Sequence, residues 1–166
     1  MFFPALAFLA TGALPASSAA HRELDKAFSA VAIYMQDVAR AEADGYVSTV
    51  DCVSHPQGKA MGVHYVHPAL ARDPSLDPTR PEVLLYEPTE DGMRLRGIEF
   101  VFALGPPGAD IPANPPPRPT MFGQAFAGPM KGHDTEQPPH YDLLVWFDNP
   151  AGMFEVMNPK VSCPTE

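Results

Sequence analysis

The sequence predicts an α+β fold, in which an N-terminal amphipathic helix packs on a curved, mostly antiparallel β-sheet or half-open barrel. Two patterns predict this class. Residues 21–44 carry apolar side chains at helical spacing, and the chain after Gly45 breaks into short apolar and aromatic runs separated by Pro, Gly and Asp. One helix followed by several strands is typical of an α+β domain.

The first twenty residues have the features of a secretory signal. They contain no charged side chain, are largely apolar and end in small residues. Ser18 and Ala20 are small side chains of the kind that a signal peptidase accepts. We therefore predict a signal peptide at residues 1–20, a single globular domain at residues 21–166 and a secreted or periplasmic location. The alternative is a buried N-terminal helix, which two prolines in this segment disfavour.

The predicted helix spans residues 21–44. Its apolar stripe repeats at steps of four and three residues, at Leu24, Phe28, Val31, Met35 and Val38. Charged residues occupy the rest of the helical wheel, so we expect the stripe to pack on one face of the sheet. Gly45 follows, and glycine suits the left-handed conformation that often ends a helix.

Five later runs are rich in β-branched and aromatic residues and bounded by turn residues. The predicted strands are residues 46–53, 62–67, 82–87, 93–104 and 141–147. Asp91-Gly92 separates the third strand from the fourth, and this pair readily takes the positive φ values of a tight turn. These two strands are therefore predicted to form a hairpin.

A proline-rich segment covers residues 105–120. Its prolines exclude a helix or a central strand, so we predict a long surface loop that acts as a lid or covers a sheet edge. The more specific alternative is that this segment is a polyproline ligand for a recognition domain of another protein. Residues 121–133, aromatic and punctuated by glycines, are expected to form an ordered wrapping loop.

The chain is acidic, with a net charge of −9 and its eleven Lys and Arg scattered. Without a basic stripe there is no electrostatic basis for binding nucleic acid or anionic lipid. After removal of the signal peptide we expect no stable membrane insertion. We expect the negative net charge to keep the exported protein soluble.

Cys52 and Cys163 are the two cysteines. In an oxidising compartment an even pair is most simply one disulfide, which here would tie the C-terminal tail to the first strand region. A thiol metal site is the competing hypothesis, but the pair lacks CxxC spacing.

Three strand-like runs each carry a polar side chain that a plain apolar core would lack, namely His64, Glu99 and His140. Side chains alternate across a strand, and each of these three shares its face with apolar neighbours. The sheet could bring them into one cavity, with Asp142 or the loop residue His133 beside them. Because an isolated buried carboxylate is costly, Glu99 is expected to have a partner.

Two or three imidazoles with a carboxylate form a common transition-metal ligand set, so we predict a divalent metal, Zn or Cu. The predicted ligands are His64, Glu99, His140 and His133. The residues predicted to line or gate the cavity are Tyr65, Asp142 and Trp146. Two alternatives remain open, a hydrogen-bonded polar network without a ligand and a cavity for a small organic ligand. No serine stands in a nucleophile-elbow motif.

Several motifs together carry a resemblance: MGVHYV at residues 61–66, PEVLLYEP at 81–88, HYDL at 140–143 and NPKVSC at 158–163. In these motifs the chain resembles a family of uncharacterised exported bacterial proteins with no assigned activity. The resemblance implies export and a single domain but transfers no mechanism. Many such sequences have a second histidine where this chain has Leu144, a departure that weighs against a metal site here.

The sequence therefore predicts a secreted or periplasmic domain that binds a metal ion or small ligand in a sheet cavity. The first alternative is a metal-dependent enzyme with Glu99 or Asp142 as general base to a metal-bound water. The second is an envelope interaction protein whose contact surface is formed by residues 105–120 and 121–133.

Overall fold

The computed structural model describes residues 16–48, 51–132 and 137–164. Its helical part consists of α1 (Ala16–Val31), a 3-10 helix (Ala32–Tyr34) and α2 (Val38–Ala43). Of the predicted signal peptide, residues 1–15 lie outside the described residues, and residues 16–20 form the start of α1. No helix in the described ranges has the length and apolarity needed to cross a membrane.

The single helix predicted for residues 21–44 is interrupted at Met35 and Gln36. Asp37 explains the second start, because its Oδ1 accepts a hydrogen bond from the Arg40 backbone N–H at 3.0 Å and so caps α2. The predicted end is confirmed, since Gly45 follows α2 with a φ of +102°.

Nine strands follow the helices in the part of the chain that the structure describes. They are β1 (Val47–Ser48), β2 (Val53–His55), β3 (Lys59–Val66), β4 (Val83–Thr89), β5 (Gly92–Ala103), β6 (Thr120–Met121), β7 (Gln124–Ala125), β8 (Ala127–Met130) and β9 (His140–Trp146). Seven form one antiparallel sheet in the order β1-β3-β4-β5-β9-β8, with β2 also paired to β3. The described strands form an open sheet, so the α+β class is confirmed and the barrel alternative has no support.

The predicted hairpin joins β4 to β5. Thr89 pairs with Gly92, so Glu90 and Asp91 form the two-residue turn and Gly92, with a φ of +112°, opens β5. The turn therefore lies one residue earlier than the Asp-Gly pair suggests. The same glycine still supplies the positive φ that the connection needs.

Both faces of the sheet are covered, which β5 was predicted to require. On the helix face, Ala27 and Val31 of α1 belong to the same apolar core as Ile98 and Phe100 of β5. On the opposite face, here the tail face, the chain after β9 covers a smaller apolar cluster. This second cluster comprises Ala60, Val83, Leu85, Leu144, Trp146 and Val161.

The C-terminal tail is tied to the tail face at several points. The predicted disulfide between Cys52 and Cys163 is present. The Trp146 backbone N–H donates to the Met153 carbonyl at 2.9 Å, and the indole Nε1–H donates to the Glu155 carbonyl at 2.6 Å. These bonds hold the tail over the sheet, and the disulfide is consistent with an oxidising compartment.

The proline-rich segment is the predicted loop, without helix or strand from Leu104 to Pro119. It lies against the sheet, where the Tyr141 hydroxyl donates to the Pro116 carbonyl at 3.0 Å. Residues 120–130 are more regular than a wrapping loop, because they form the β6–β7 hairpin and the edge strand β8.

Candidate functional site

The tail face brings His64 and Glu99 together. His64 lies on β3 and Glu99 on β5, with β4 between them, and His64 Nε2 is 3.7 Å from Glu99 Oε2. The register places His64 in the row of Leu85 and Gly97, one row from Glu99. Two side chains from strands that are not neighbours thus meet above the sheet.

Gly97 makes room in this row. A Cβ atom at Gly97 would stand 2.8 Å from the ring of Trp146, its partner on β9, and 2.9 Å from the Val145 carbonyl oxygen. The indole therefore lies close over the β5 backbone, where any other residue would displace it. Trp146, predicted to line the cavity, is fully buried beside the site and forms part of its apolar border.

Asp142 is the second carboxylate on this face. It pairs with Val101, and Glu99 pairs with Leu144, so the two acids are diagonal neighbours on adjacent strands. Both are buried, with 6 % of Glu99 and 8 % of Asp142 exposed. The sequence correctly placed Asp142 on the face that carries Glu99.

Glu82 is a third buried acid, and the sequence reasoning missed it. Its Oε2 accepts a hydrogen bond from the Val101 N–H at 3.0 Å, where β5 extends past the first residue of β4. Burial raises the pKa of Glu82 to about 7, although the bond from Val101 acts in the opposite direction. A glutamate immediately before the apolar run Val83–Tyr86 was the available signal.

These surroundings determine the protonation of Glu99. Burial, which disfavours the charged form, acts together with the negative charges of Asp142 and Glu82 to raise the pKa of Glu99 to about 8, and burial is the largest cause. Glu99 therefore carries a proton at pH 7, and the site can exchange that proton near neutral pH.

His140 is not brought to Glu99. It pairs with Ala103 at the start of β9, four residues before Leu144, the partner of Glu99. At roughly 3.4 Å per residue this is a separation of about 14 Å along the strand. His140 Nδ1 instead donates to the Pro138 carbonyl at 2.8 Å. The alternation of side chains correctly predicts that His140 and Glu99 share a face, but the register of the strands sets the distance between them.

Tyr65 was predicted to line the cavity and does not. It alternates with His64 on β3, pairs with Leu84 and belongs to the core of the helix face. Its ring packs edge-on against Tyr86 at a centroid distance of 5.1 Å. His133, the fourth predicted ligand, lies outside the described residues.

Among the described residues, no group of three His, Cys, Asp or Glu side chains has a geometry that could hold a metal ion. What the described site offers is an imidazole and a neutral carboxyl group in near contact, with a second acid beside them. Such a group can exchange a proton for a cation or transfer a proton to a bound molecule.

No protein-family model matches the sequence, and no curated protein or solved structure is significantly similar to the chain.

Proposed function

We propose that this protein is an exported domain that binds a cation, in the first place a divalent metal ion such as Zn²⁺ or Cu²⁺, at the pair formed by His64 and Glu99, with the negative charge of Asp142 nearby. The approach of His64 Nε2 to Glu99 Oε2 carries the proposal. Export is supported by the apolar N-terminal segment with its small-residue end and by the disulfide. Membership of the exported bacterial family remains a prediction.

The charges favour a cation over other ligands. Two other buried acids, Asp142 and Glu82, both raise the pKa of Glu99. A bound cation would replace the proton of Glu99 and relieve the repulsion among the acids. Binding should therefore release protons and weaken as the pH falls below about 8.

The test is metal binding by protein purified without a metal-affinity tag and stripped with a chelator. Isothermal titration with Zn²⁺ and with Cu²⁺ should give saturable binding that His64→Ala weakens at least tenfold, because one ligand is lost. His55→Ala is the matched control, since His55 is exposed on β2 and its imidazole accepts a hydrogen bond from the Gln57 N–H. Equal binding by the two variants, or none by the unmodified protein, overturns the proposal.

A metal-dependent enzyme is the second candidate, and the raised pKa of Glu99 favours it. A general acid or base works best when its pKa lies near the working pH, and the value of about 8 meets that condition. A hydrolytic activity that depends on added metal should then show a limb in its pH profile near 8, and Glu99→Gln should abolish that limb. A profile that is unchanged in Glu99→Gln excludes this role.

A further inference from the structure

A cavity of about 200 Å³ lies beside β5, three to five residues before Glu99. Its apolar lining comes from Met35, Leu95 and Phe147, and its polar lining includes Arg94 and Arg96. Met35 is 39 % exposed, so part of its side chain is accessible to a molecule in the cavity. The cavity is thus an open apolar recess with arginines at its border.

The interruption of the helix builds this recess. At the break, the Met35 carbonyl accepts a hydrogen bond from the Leu95 N–H at 3.1 Å, which fixes the turn to β5. On the other side, the Phe147 N–H donates to the Arg96 carbonyl at 3.1 Å, and the Phe147 ring packs edge-on against Phe28 at 5.1 Å. The walls are therefore held by backbone bonds and core packing, which makes the recess preformed.

The two arginines differ in their partners. Arg96 is oriented by Glu87, with its Nε 3.4 Å from Glu87 Oε2, and it also donates to the Lys160 carbonyl at 3.3 Å. Arg94 is exposed and forms no ion pair with any residue in the described ranges. Asp148, the acid at the recess, is paired with Lys160 Nζ at 2.7 Å. Within the described residues Arg94 thus lies outside any ion pair at the border of an apolar recess, and its cross-strand neighbour on β4, Glu87, is engaged by Arg96.

We propose that this recess binds a small carboxylate with a compact apolar body, of the size of a simple aromatic acid. The ring would contact Met35, Leu95 and Phe147, and the carboxylate would pair with the guanidinium of Arg94. A cavity of roughly 150 Å³ holds a benzene molecule, so the observed volume accommodates a benzoate ring. Guanidinium groups match carboxylates with two parallel hydrogen bonds, which favours an acid over a neutral analogue.

Benzoate and its neutral analogue benzyl alcohol are the probes, followed by the amide shifts of ¹⁵N-labelled protein. Benzoate should give saturable shifts at Leu95 and Phe147 and bind at least tenfold more tightly than benzyl alcohol. Arg94→Gln should weaken benzoate at least tenfold and change benzyl alcohol less than twofold, because only the acid uses the guanidinium. Arg72→Gln, which removes an exposed arginine elsewhere, is the matched control.

A second variant tests the recess independently of charge. Gln36 is exposed and lines the recess, so Gln36→Trp should fill the recess without disturbing the core and should remove the binding of both probes. The proposal is overturned if benzoate causes no saturable shifts at the recess. It is equally overturned if Arg94→Gln and Arg72→Gln weaken benzoate alike, or if Gln36→Trp binds benzoate as tightly as the unmodified protein.

Discussion

Replacing Glu99 with glutamine should remove much of the pH dependence of stability above pH 5. The folded chain raises the pKa of Glu99 to about 8, whereas an unfolded chain leaves it near 4.5. Between these two values the folded state binds more protons than the unfolded state, so the free energy of unfolding falls as the pH rises. The stability that Glu99 contributes is therefore fully present below pH 4.5, decreases between pH 4.5 and pH 8 and is lost above pH 8.

The magnitude follows from the size of the shift. Each pKa unit corresponds to about 1.4 kcal/mol, so the shift of Glu99 from 4.5 to about 8 corresponds to at most about 5 kcal/mol. About 0.8 kcal/mol of this is lost below pH 5, and relaxation of the site and entry of water reduce the rest, so we expect a loss of roughly 2 to 4 kcal/mol between pH 5 and pH 9. Glutamine keeps the shape of the side chain and cannot ionise, so the variant should not show this contribution.

Urea unfolding at several pH values provides the assay. The single tryptophan, Trp146, is fully buried and reports unfolding by its fluorescence. The stability of Glu99→Gln relative to the unmodified protein should rise by roughly 2 to 4 kcal/mol from pH 5 to pH 9. Glu90→Gln, in the exposed turn between β4 and β5, serves as the control and should leave the pH dependence unchanged. Parallel stability curves for all three proteins would refute the argument that Glu99 is neutral when folded.

Three further predictions concern the scaffold. Replacing Cys52 and Cys163 together with serine should lower the free energy of unfolding by up to about 4 to 5 kcal/mol, because the disulfide closes a loop of 111 residues, and urea unfolding with and without reductant checks this. Gly62→Ala should lower the free energy of unfolding by more than about 2 kcal/mol, since the φ is +87° and the added Cβ would collide with the backbone of β4. Gly58→Ala, at a φ of +72° with open space around it, should lower it by only about 1 kcal/mol. Equal losses of stability in the two variants would contradict the role of the collision. Asp37→Ala should cost about 1 kcal/mol by removing the cap of α2, and unchanged thermal unfolding would disprove that contribution.

The local features of the fold were predictable because neighbouring residues determine them. The apolar stripe identified the helical region, and Gly45 marked its end. The Asp-Gly pair located the β4–β5 hairpin to within one residue. The interruption of the helix at Met35 was not predicted, because the apolar stripe continues through it. Asp37, which caps α2, was the available signal, but one capping residue is weaker evidence than a stripe that spans the whole helical region.

The candidate site was only half predictable, for a related reason. Alternation along a strand correctly placed Glu99 and Asp142 on one face, and the expectation that Glu99 needs a partner is met by its proximity to His64. The alternation of side chains does not determine the register in which two strands pair. His140 therefore shares the face and still lies about 14 Å along β9 from Leu144, the partner of Glu99, at about 3.4 Å per residue.

The sequence by itself determined the helical region, the central strands, the faces of their side chains and the pairing of Cys52 with Cys163, because spacing, turn residues and an even cysteine count are local or arithmetic properties. The tertiary structure alone decided which rows align, how Glu82 reaches Val101 and where the interrupted helix leaves a recess beside β5. These features depend on strand order and register, which are set by packing between residues far apart in the chain. The proton on Glu99 has the same origin, since the burial and the neighbouring charges that hold it exist only once the sheet has assembled.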